Sequence, residues 1–127
     1  MMYSLREDGN WRISDHFFVN EFRCKDGTDP VCVDGELLDI LECVLLKFGK
    51  PVVINSGYRT PSYNKKIGGA KFSQHMYGRA ADIVVKGVEP VVVYNFLCEA
   101  FPISCGFGLY QSFVHVDCRA TKSRWKG

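Results

Sequence analysis

Several classes of protein are excluded by what the sequence lacks. Charges run through the amino-terminal stretch MMYSLREDGNWRISD, which has no apolar segment of the kind that a secretory signal requires. No apolar run reaches the length needed to span a bilayer. With 16 basic and 14 acidic residues, the net charge of +2 provides no large field to attract nucleic acid. We therefore expect cytoplasmic synthesis without a signal peptide, no membrane span and no nucleic-acid partner.

Cysteine is present, but not at metal-binding spacing. The six cysteines are scattered and no CxxC pair occurs, which argues against a cysteine zinc knuckle. Cys43 and Cys98 fall inside apolar helical patterns and Cys118 ends a strand pattern, where a free thiol behaves as a small buried hydrophobe. We expect mostly reduced, structural thiols. Cys24 and Cys32, which flank the loop KDGTDPV, are the one pair that suits a disulfide.

The apolar pattern predicts one compact α+β domain over residues 1–127. The chain has no internal repeat, low-complexity segment or linker, and its hydrophobic content of 46% is sufficient for one core. An apolar stripe predicts a helix over 34–49, and a second stripe through Val92, Val93, Phe96, Leu97 and Ala100 predicts another over 89–102. We predict a short helix near 63–67. Strands are predicted at 51–55 and 81–85, and CGFGLY and FVHVDC predict an antiparallel hairpin. The expected architecture is a small, largely antiparallel sheet flanked by helices.

Two regions are assigned structural roles. The tail RATKSRWKG is predicted to be a solvated end in which Trp125 folds back onto the domain. His16 precedes two phenylalanines, so we interpret it as a structural residue near the start of the fold.

Polar side chains that could bind a metal or transfer a proton interrupt two apolar segments. Residues two apart on a strand share a face, so in FVHVDCR the side chains of His115 and Asp117 project together. In SQHMYGRAADI, the spacing suits a loop that turns at Gly78 and would bring His75 and Asp82 to one point. Two histidines and one carboxylate with an open position form a composition found in catalytic zinc sites. Taken singly, each histidine is more often a hydrogen-bonded structural residue than a ligand, so spacing alone leaves both interpretations open.

A resemblance narrows the interpretation. SQHMYGRAADI matches the pattern SxHxxGxAxD at Ser73, His75, Gly78, Ala80 and Asp82, and FVHVDCR supplies a second histidine in a late strand. INSGYRTPSYNKKIGG and ISDHFFVNEF are also similar, so the likeness spans roughly 13–119. Together these segments resemble the zinc D-Ala-D-Ala carboxypeptidase family, in the superfamily that includes lysostaphin-type peptidases and the hedgehog signalling domain. The resemblance implies a hedgehog- or D,D-peptidase-like fold.

The resemblance also implies a ligand set and a substrate. His75, Asp82 and His115 would bind one Zn²⁺ per chain and leave a position open for water. The partner would be the peptidoglycan stem peptide, cleaved near D-amino acids by a D,D-carboxypeptidase or by an endolysin-type endopeptidase of phage or prophage origin. Arg59 matches the arginine that the family places near the substrate carbonyl, where a fixed cation stabilises oxyanion charge. Ser73 would hold substrate or orient His75, although a cap or turn explains it equally well.

The sequence departs from the family pattern at the general base. Several branches carry an acid three positions before the last zinc histidine, where this chain has Ser112. Asp117 is the nearest acid, and we predict that it is the base, with orientation of a ligand imidazole as its alternative role.

Two classes of function remain open. One is a zinc peptidase that acts on the cell wall after release or export by another route. The other is a cell-wall or protein binding module that keeps the fold, with or without the zinc, but has lost catalysis. Arg59 beside all three predicted ligands favours the enzyme.

Overall fold

The computed structural model describes residues 1–127 and contains four α-helices, two 3₁₀ helices and seven strands. The α-helices are α1 (Leu5–Asp8), α2 (Gly35–Phe48), α3 (Pro61–Lys66) and α4 (Pro90–Ala100). The 3₁₀ helices span Val19–Phe22 and Gln74–Tyr77. The strands are β1 (Met2–Ser4), β2 (Pro30–Cys32), β3 (Val52–Ser56), β4 (Ala80–Val85), β5 (Gly106–Leu109), β6 (Val114–Asp117) and β7 (Ser123–Lys126). None of the helices combines the length and apolar character that a bilayer crossing requires.

The strands form two sheets. β1 and β2 make an antiparallel pair, and the main sheet has the order β3-β4-β6-β5-β7. Every pair in the main sheet is antiparallel except β5 with β7, which is parallel. The predicted α+β fold, with a small and largely antiparallel sheet flanked by helices, is confirmed.

Helix α2 follows the sequence prediction closely. Its first backbone groups are capped by Asp34, whose carboxylate accepts a hydrogen bond from the Glu36 N–H at 2.8 Å. Gly49 ends the helix with a φ of +61°, in the left-handed region that favours glycine. The predicted range of 34–49 therefore includes both caps of the helix.

Helix α4 has a narrower buried face than the predicted stripe. Val93 and Leu97, one turn apart, are fully buried, whereas Val92 and Ala100 are exposed. The prediction was wrong for Val92 and Ala100 because only one edge of this helix packs against the core, and the neighbouring positions rotate away from it.

The main sheet has one apolar face and one polar face. Alternate residues of β4, β5 and β6 join a core with α2 and α4; these are Ala81, Ile83, Val85, Phe107, Val114 and Val116. The intervening positions, including Asp82, His115 and Asp117, lie on the opposite face. The sheet therefore backs the polar cluster with a rigid apolar layer.

The structure corrects the prediction for the carboxyl-terminal end of the chain. Ser123–Lys126 is not a solvated end but strand β7, which pairs with the edge of β5. Its parallel partner β5 is separated from it in the sequence by β6, so no hairpin turn connects the two strands and signals their pairing. All six cysteines are free, which confirms the expected reduced thiols, and Cys24 and Cys32 do not form the disulfide considered above.

Candidate metal centre

Three predicted ligands converge on the polar face of the sheet. His75, Asp82 and His115 each offer a ligand atom within 4.8 Å of the others. Asp82 Oδ1 lies 3.4 Å from His75 Nε2 and 2.9 Å from His115 Nδ1. Residues separated by up to 40 positions in the chain are thus brought to one point, as the sequence analysis predicted.

His75 is held by its backbone and by its ring. Ser73 caps the 3₁₀ helix, and its Oγ accepts a hydrogen bond from the His75 N–H at 3.2 Å. The ring Nδ1 lies 2.7 Å from the Gly57 carbonyl oxygen. Because a carbonyl only accepts, Nδ1 carries a proton, and the neutral ring therefore turns the lone pair of Nε2 towards Asp82. Ser73 therefore acts on His75 in this structure, and its predicted contact with substrate stays a prediction.

The turn at Gly78 joins His75 to strand β4. Gly78 has a φ of +68°, and a Cβ added there would collide with the Cys32 carbonyl oxygen. The sharp turn starts β4 at Ala80, one residue before the predicted start, and places Asp82 on the polar face.

His115 has a different carboxylate at each ring nitrogen. In the sheet, His115 pairs directly with Asp82 of the neighbouring strand, which places Asp82 Oδ1 next to Nδ1. The other nitrogen, Nε2, lies 2.8 Å from Asp117 Oδ2. When Nε2 donates its proton to Asp117, Nδ1 is left as a free lone pair facing Asp82 and His75. The two-residue alternation of β6 produces this arrangement.

Asp117 is fully buried and already engaged in hydrogen bonds. Arg119 donates from Nε to Asp117 Oδ1 at 2.7 Å and from Nη2 to Oδ2 at 2.6 Å. Burial raises the pKa of this carboxyl, but the hydrogen bonds from His115 and Arg119 outweigh it and lower the pKa to about 2. Arg119 was not among the predicted site residues, although this arginine continues the alternation of His115 and Asp117 by two further residues.

Arg59 lies beside the cluster, as predicted. Its Nη2 donates to Asp82 Oδ2 at 3.5 Å, its Nε to Ser56 Oγ at 3.2 Å and its Nη1 to Asn64 Oδ1 at 3.2 Å. Asn64 is buried and donates in turn to the Ala70 carbonyl at 2.8 Å. These contacts fix the guanidinium at the edge of the ligand cluster.

The donor set fits a zinc ion. Tetrahedral zinc with bonds of about 2.0–2.2 Å needs ligand atoms about 3.3–3.5 Å apart. The separation of 3.4 Å between His75 Nε2 and Asp82 Oδ1 meets this requirement. The separation of 2.9 Å between His115 Nδ1 and Asp82 Oδ1 is that of a hydrogen bond, and it would have to lengthen by about 0.5 Å when both atoms bind zinc. Burial raises the pKa of Asp82, yet without metal the protonated rings of His115 and His75 hold that pKa well below its usual range through hydrogen bonds and charge, so the carboxylate is ionised. A metal ion would take the place of the ring protons that face Asp82. Two imidazoles and one carboxylate form the three-protein-ligand composition of catalytic zinc sites.

An open cleft of about 610 Å³ lies over the cluster. Aromatic residues form part of its wall: Tyr110 stacks on Phe113 with ring centroids 4.5 Å apart, and Trp125 lies beside them. Asp82 is the only carboxylate that lines the cleft. Ser112 is exposed, and His16 lies outside the cleft, paired with Glu42 at 2.6 Å in agreement with a structural role.

A second group of potential ligands does not fit a metal. Asp34, Glu36 and Cys118 approach one another within 4.8 Å. Asp34 is paired with Arg79 at 2.6 Å, so a cation is already supplied by the protein. Burial raises the pKa of the Cys118 thiol to about 12, which keeps it protonated and makes it a poor ligand.

The chain is similar to known peptidases over most of its length. A family model described as Peptidase M15 matches residues 15–117. The chain is also 50% identical over 34 residues to the zinc D-Ala-D-Ala carboxypeptidase of Streptomyces albus G. That aligned stretch covers 27% of this chain and 13% of the longer relative.

Proposed function

Because this chain belongs to the peptidase M15 family, we propose that it is a zinc-dependent peptidase that hydrolyses peptide bonds of the peptidoglycan stem. The observation that carries this proposal is the convergence of His75, Asp82 and His115 beneath an open cleft. These residues would hold one zinc ion per chain. Zinc in such a site supplies a Lewis acid and activates water near neutral pH.

The residues around the ligands have distinct roles in this proposal. Gly57 and Asp117 hold the outer nitrogens of His75 and His115, so both imidazoles turn a lone pair towards the same point. Arg59 is held at the edge of the cluster, where its charge would stabilise an oxyanion that develops on the substrate carbonyl.

Two further assignments remain predictions. Asp117 is proposed as the general base, although its complete burial and its bonds to Arg119 and His115 support the alternative role of orienting His115. Ser73 is proposed to contact substrate because it lines the cleft in addition to capping the 3₁₀ helix.

The substrate class is proposed from the shape and charge of the cleft together with the relative. The Streptomyces relative is named for its action on D-Ala-D-Ala. Three cationic side chains, Arg59, Lys71 and Arg119, line the cleft, and two of them are offset by carboxylates, Arg59 by Asp82 and Arg119 by the buried Asp117. The positive charge that remains, on Lys71, suits a peptide that carries free carboxylates, as peptidoglycan stems do. The proposed site of action is the cell wall, reached after release or export by another route.

Digestion of purified peptidoglycan followed by mass analysis of the fragments tests the activity. Release of terminal D-alanine identifies a carboxypeptidase, whereas internal stem fragments identify an endopeptidase. Zinc content provides the second measurement: the wild-type protein purified without chelator should carry about one zinc per chain. His75→Ala should lose most of this zinc, and His16→Ala, which removes an exposed histidine outside the cleft, should retain it. Full zinc content in His75→Ala would remove that residue from the site.

A binding module that has lost catalysis is the second candidate function. It is favoured by the absence of any carboxylate other than Asp82 from the cleft lining and by Ser112 in the place of an acid. A zinc-loaded protein that sediments with peptidoglycan but releases no fragment would support this candidate over the peptidase.

A further inference from the structure

The carboxyl-terminal residues 118–127 lie beyond the span matched by the family, yet they contribute Arg119 and Trp125 to the cleft. We propose that this segment positions the imidazole of His115, with Trp125 as the positioning residue that packs against the ring. The inference rests on the proposed function, since it assumes that His115 is a zinc ligand. It adds to the proposed zinc site a supporting strand, β7, and the indole of Trp125, both of which lie outside the matched span of 15–117.

Strand register places Trp125 in line with the ligands. Asp82, His115, Gly108 and Trp125 are directly paired, in that order, across β4, β6, β5 and β7. Directly paired residues project from the same face of a sheet. Gly108 has no side chain, so the indole of Trp125 leans across β5 and reaches the next strand. Its ring centroid lies 5.1 Å from that of His115.

Glycine is required at the position that the indole crosses. A Cβ added to Gly108 would collide with Nε1, Cε2 and Cζ2 of Trp125. In the next row of the sheet, a Cβ added to Gly106 would collide with the carboxylate of Asp117. Two glycines of β5 thus leave space for Trp125 and Asp117, two of the side chains that contact His115.

The indole is itself held in place. Its Nε1 donates a hydrogen bond to Tyr110 Oη at 2.9 Å, and Tyr110 is stacked on Phe113. The guanidinium carbon of Arg119 lies 5.4 Å from the centre of the indole, within the range of a cation–π contact. Arg119 also binds Asp117, which in turn is hydrogen-bonded to His115. The segment therefore supports His115 in two ways, because Trp125 packs against the ring and Arg119 holds the carboxylate that binds Nε2.

This support should increase the affinity for zinc. An imidazole that is free to rotate must be ordered when metal binds, and ordering a side chain costs free energy. Packing by Trp125 restricts that rotation before metal arrives. Partners outside the ligand set are typically worth about 10–100-fold in metal affinity, and we expect about tenfold for a packing contact.

Zinc affinity of the metal-free protein, measured by competition with a chromophoric chelator, tests the inference. Trp125→Leu should weaken zinc binding by about tenfold, and Trp125→Phe, which keeps an aromatic face, should recover part of the loss. Trp11→Leu is the matched control, since Trp11 is 60% exposed, and it should bind zinc like the wild type. Tyr110→Phe removes only the hydrogen bond to the indole and should cause a smaller loss than Trp125→Leu.

Fluorescence of Trp125 gives a second readout that does not depend on the loss of zinc affinity in these variants. The protein has two tryptophans, so in Trp11→Phe all indole emission comes from Trp125. Zinc titration should change this emission and saturate at one equivalent, because the metal binds a ring in contact with the indole. If the wild type binds zinc but Trp125→Leu binds it equally well, or if the emission of Trp125 does not respond, the positioning role is wrong. If the wild type binds no zinc, the proposed function fails as well.

Discussion

Replacement of Asp117 by asparagine would separate two roles for the residue. Asparagine preserves the shape of the side chain, but it removes the charge and exchanges one acceptor oxygen for an N–H₂ donor. In the folded protein, both oxygens of Asp117 accept hydrogen bonds, from Arg119 and from His115. The amide group can satisfy only some of these donors, so at least one close donor–donor contact results.

The expected cost to stability follows from the pKa of the carboxyl. A pKa lowered from 3.8 to about 2 corresponds to about 2 kcal/mol of stabilisation at neutral pH. Because the folded pKa lies below the unfolded pKa, this stabilisation is present above about pH 4 and disappears as the pH falls towards about 2. Urea unfolding of metal-free protein should therefore show a difference of about 2 kcal/mol between the wild type and Asp117→Asn at pH 7. The difference should shrink at acidic pH.

Zinc affinity and reaction rate then distinguish positioning from base catalysis. If Asp117 positions His115, Asp117→Asn should bind zinc about 10–100-fold more weakly, and its activity should recover at saturating zinc. If Asp117 is the base, zinc affinity should stay near that of the wild type while the rate at saturating zinc falls by about 10²–10⁴. Asp15→Asn, at an exposed position, is the control. Unchanged stability, affinity and rate in Asp117→Asn would refute the reasoning for both roles.

Three other measurements test packing, catalysis and thiol state. Gly108→Ala should lower the free energy of unfolding by about 1–3 kcal/mol, because the added methyl group would displace Trp125. Gly35→Ala is the control, since a methyl group there would meet no atom within 4 Å. Equal urea midpoints for Gly108→Ala and the wild type would contradict the packing of Trp125 over Gly108. Arg59→Ala should retain zinc but lower the rate of hydrolysis by about 10²–10³. Arg23→Ala, at an exposed position, is the control and should keep the wild-type rate. An unaltered rate in Arg59→Ala would exclude a role for Arg59 in the transition state. Unfolding without reductant should release six reactive thiols, and a smaller number would reveal a disulfide.

The sequence predicted well the features that depend on neighbours in the chain. Helix α2 was located because Asp34 and Gly49 provide local capping chemistry around an apolar stripe. His115 and Asp117 were placed on one face because the side chains of any strand alternate. The convergence of His75 and Asp82 required more than spacing, and the resemblance to a zinc peptidase family supplied the interpretation.

Contacts between distant strands were outside the reach of these patterns. β7 was missed because it pairs in parallel with β5, its neighbour in the sheet, while β6 lies between the two strands in the sequence. No turn signal therefore connects β5 to β7. The same separation hid the contact between Trp125 and His115, which depends on strand register. The stripe of α4 failed at Val92 because the width of a buried helix face is set by what packs against it.

The sequence by itself determined the classes of residue available for chemistry and their local placement: two histidines and a carboxylate beside a tight glycine turn, and an alternating strand that carries both His115 and Asp117. Only the tertiary structure decided which nitrogen of each histidine faces the cluster, that Asp117 is buried against Arg119, and that Trp125 completes the wall. The physical reason is range. Capping, turns and side-chain alternation arise from interactions within a few residues, whereas ring orientation and burial depend on the register of strands that meet only when the sheet has formed.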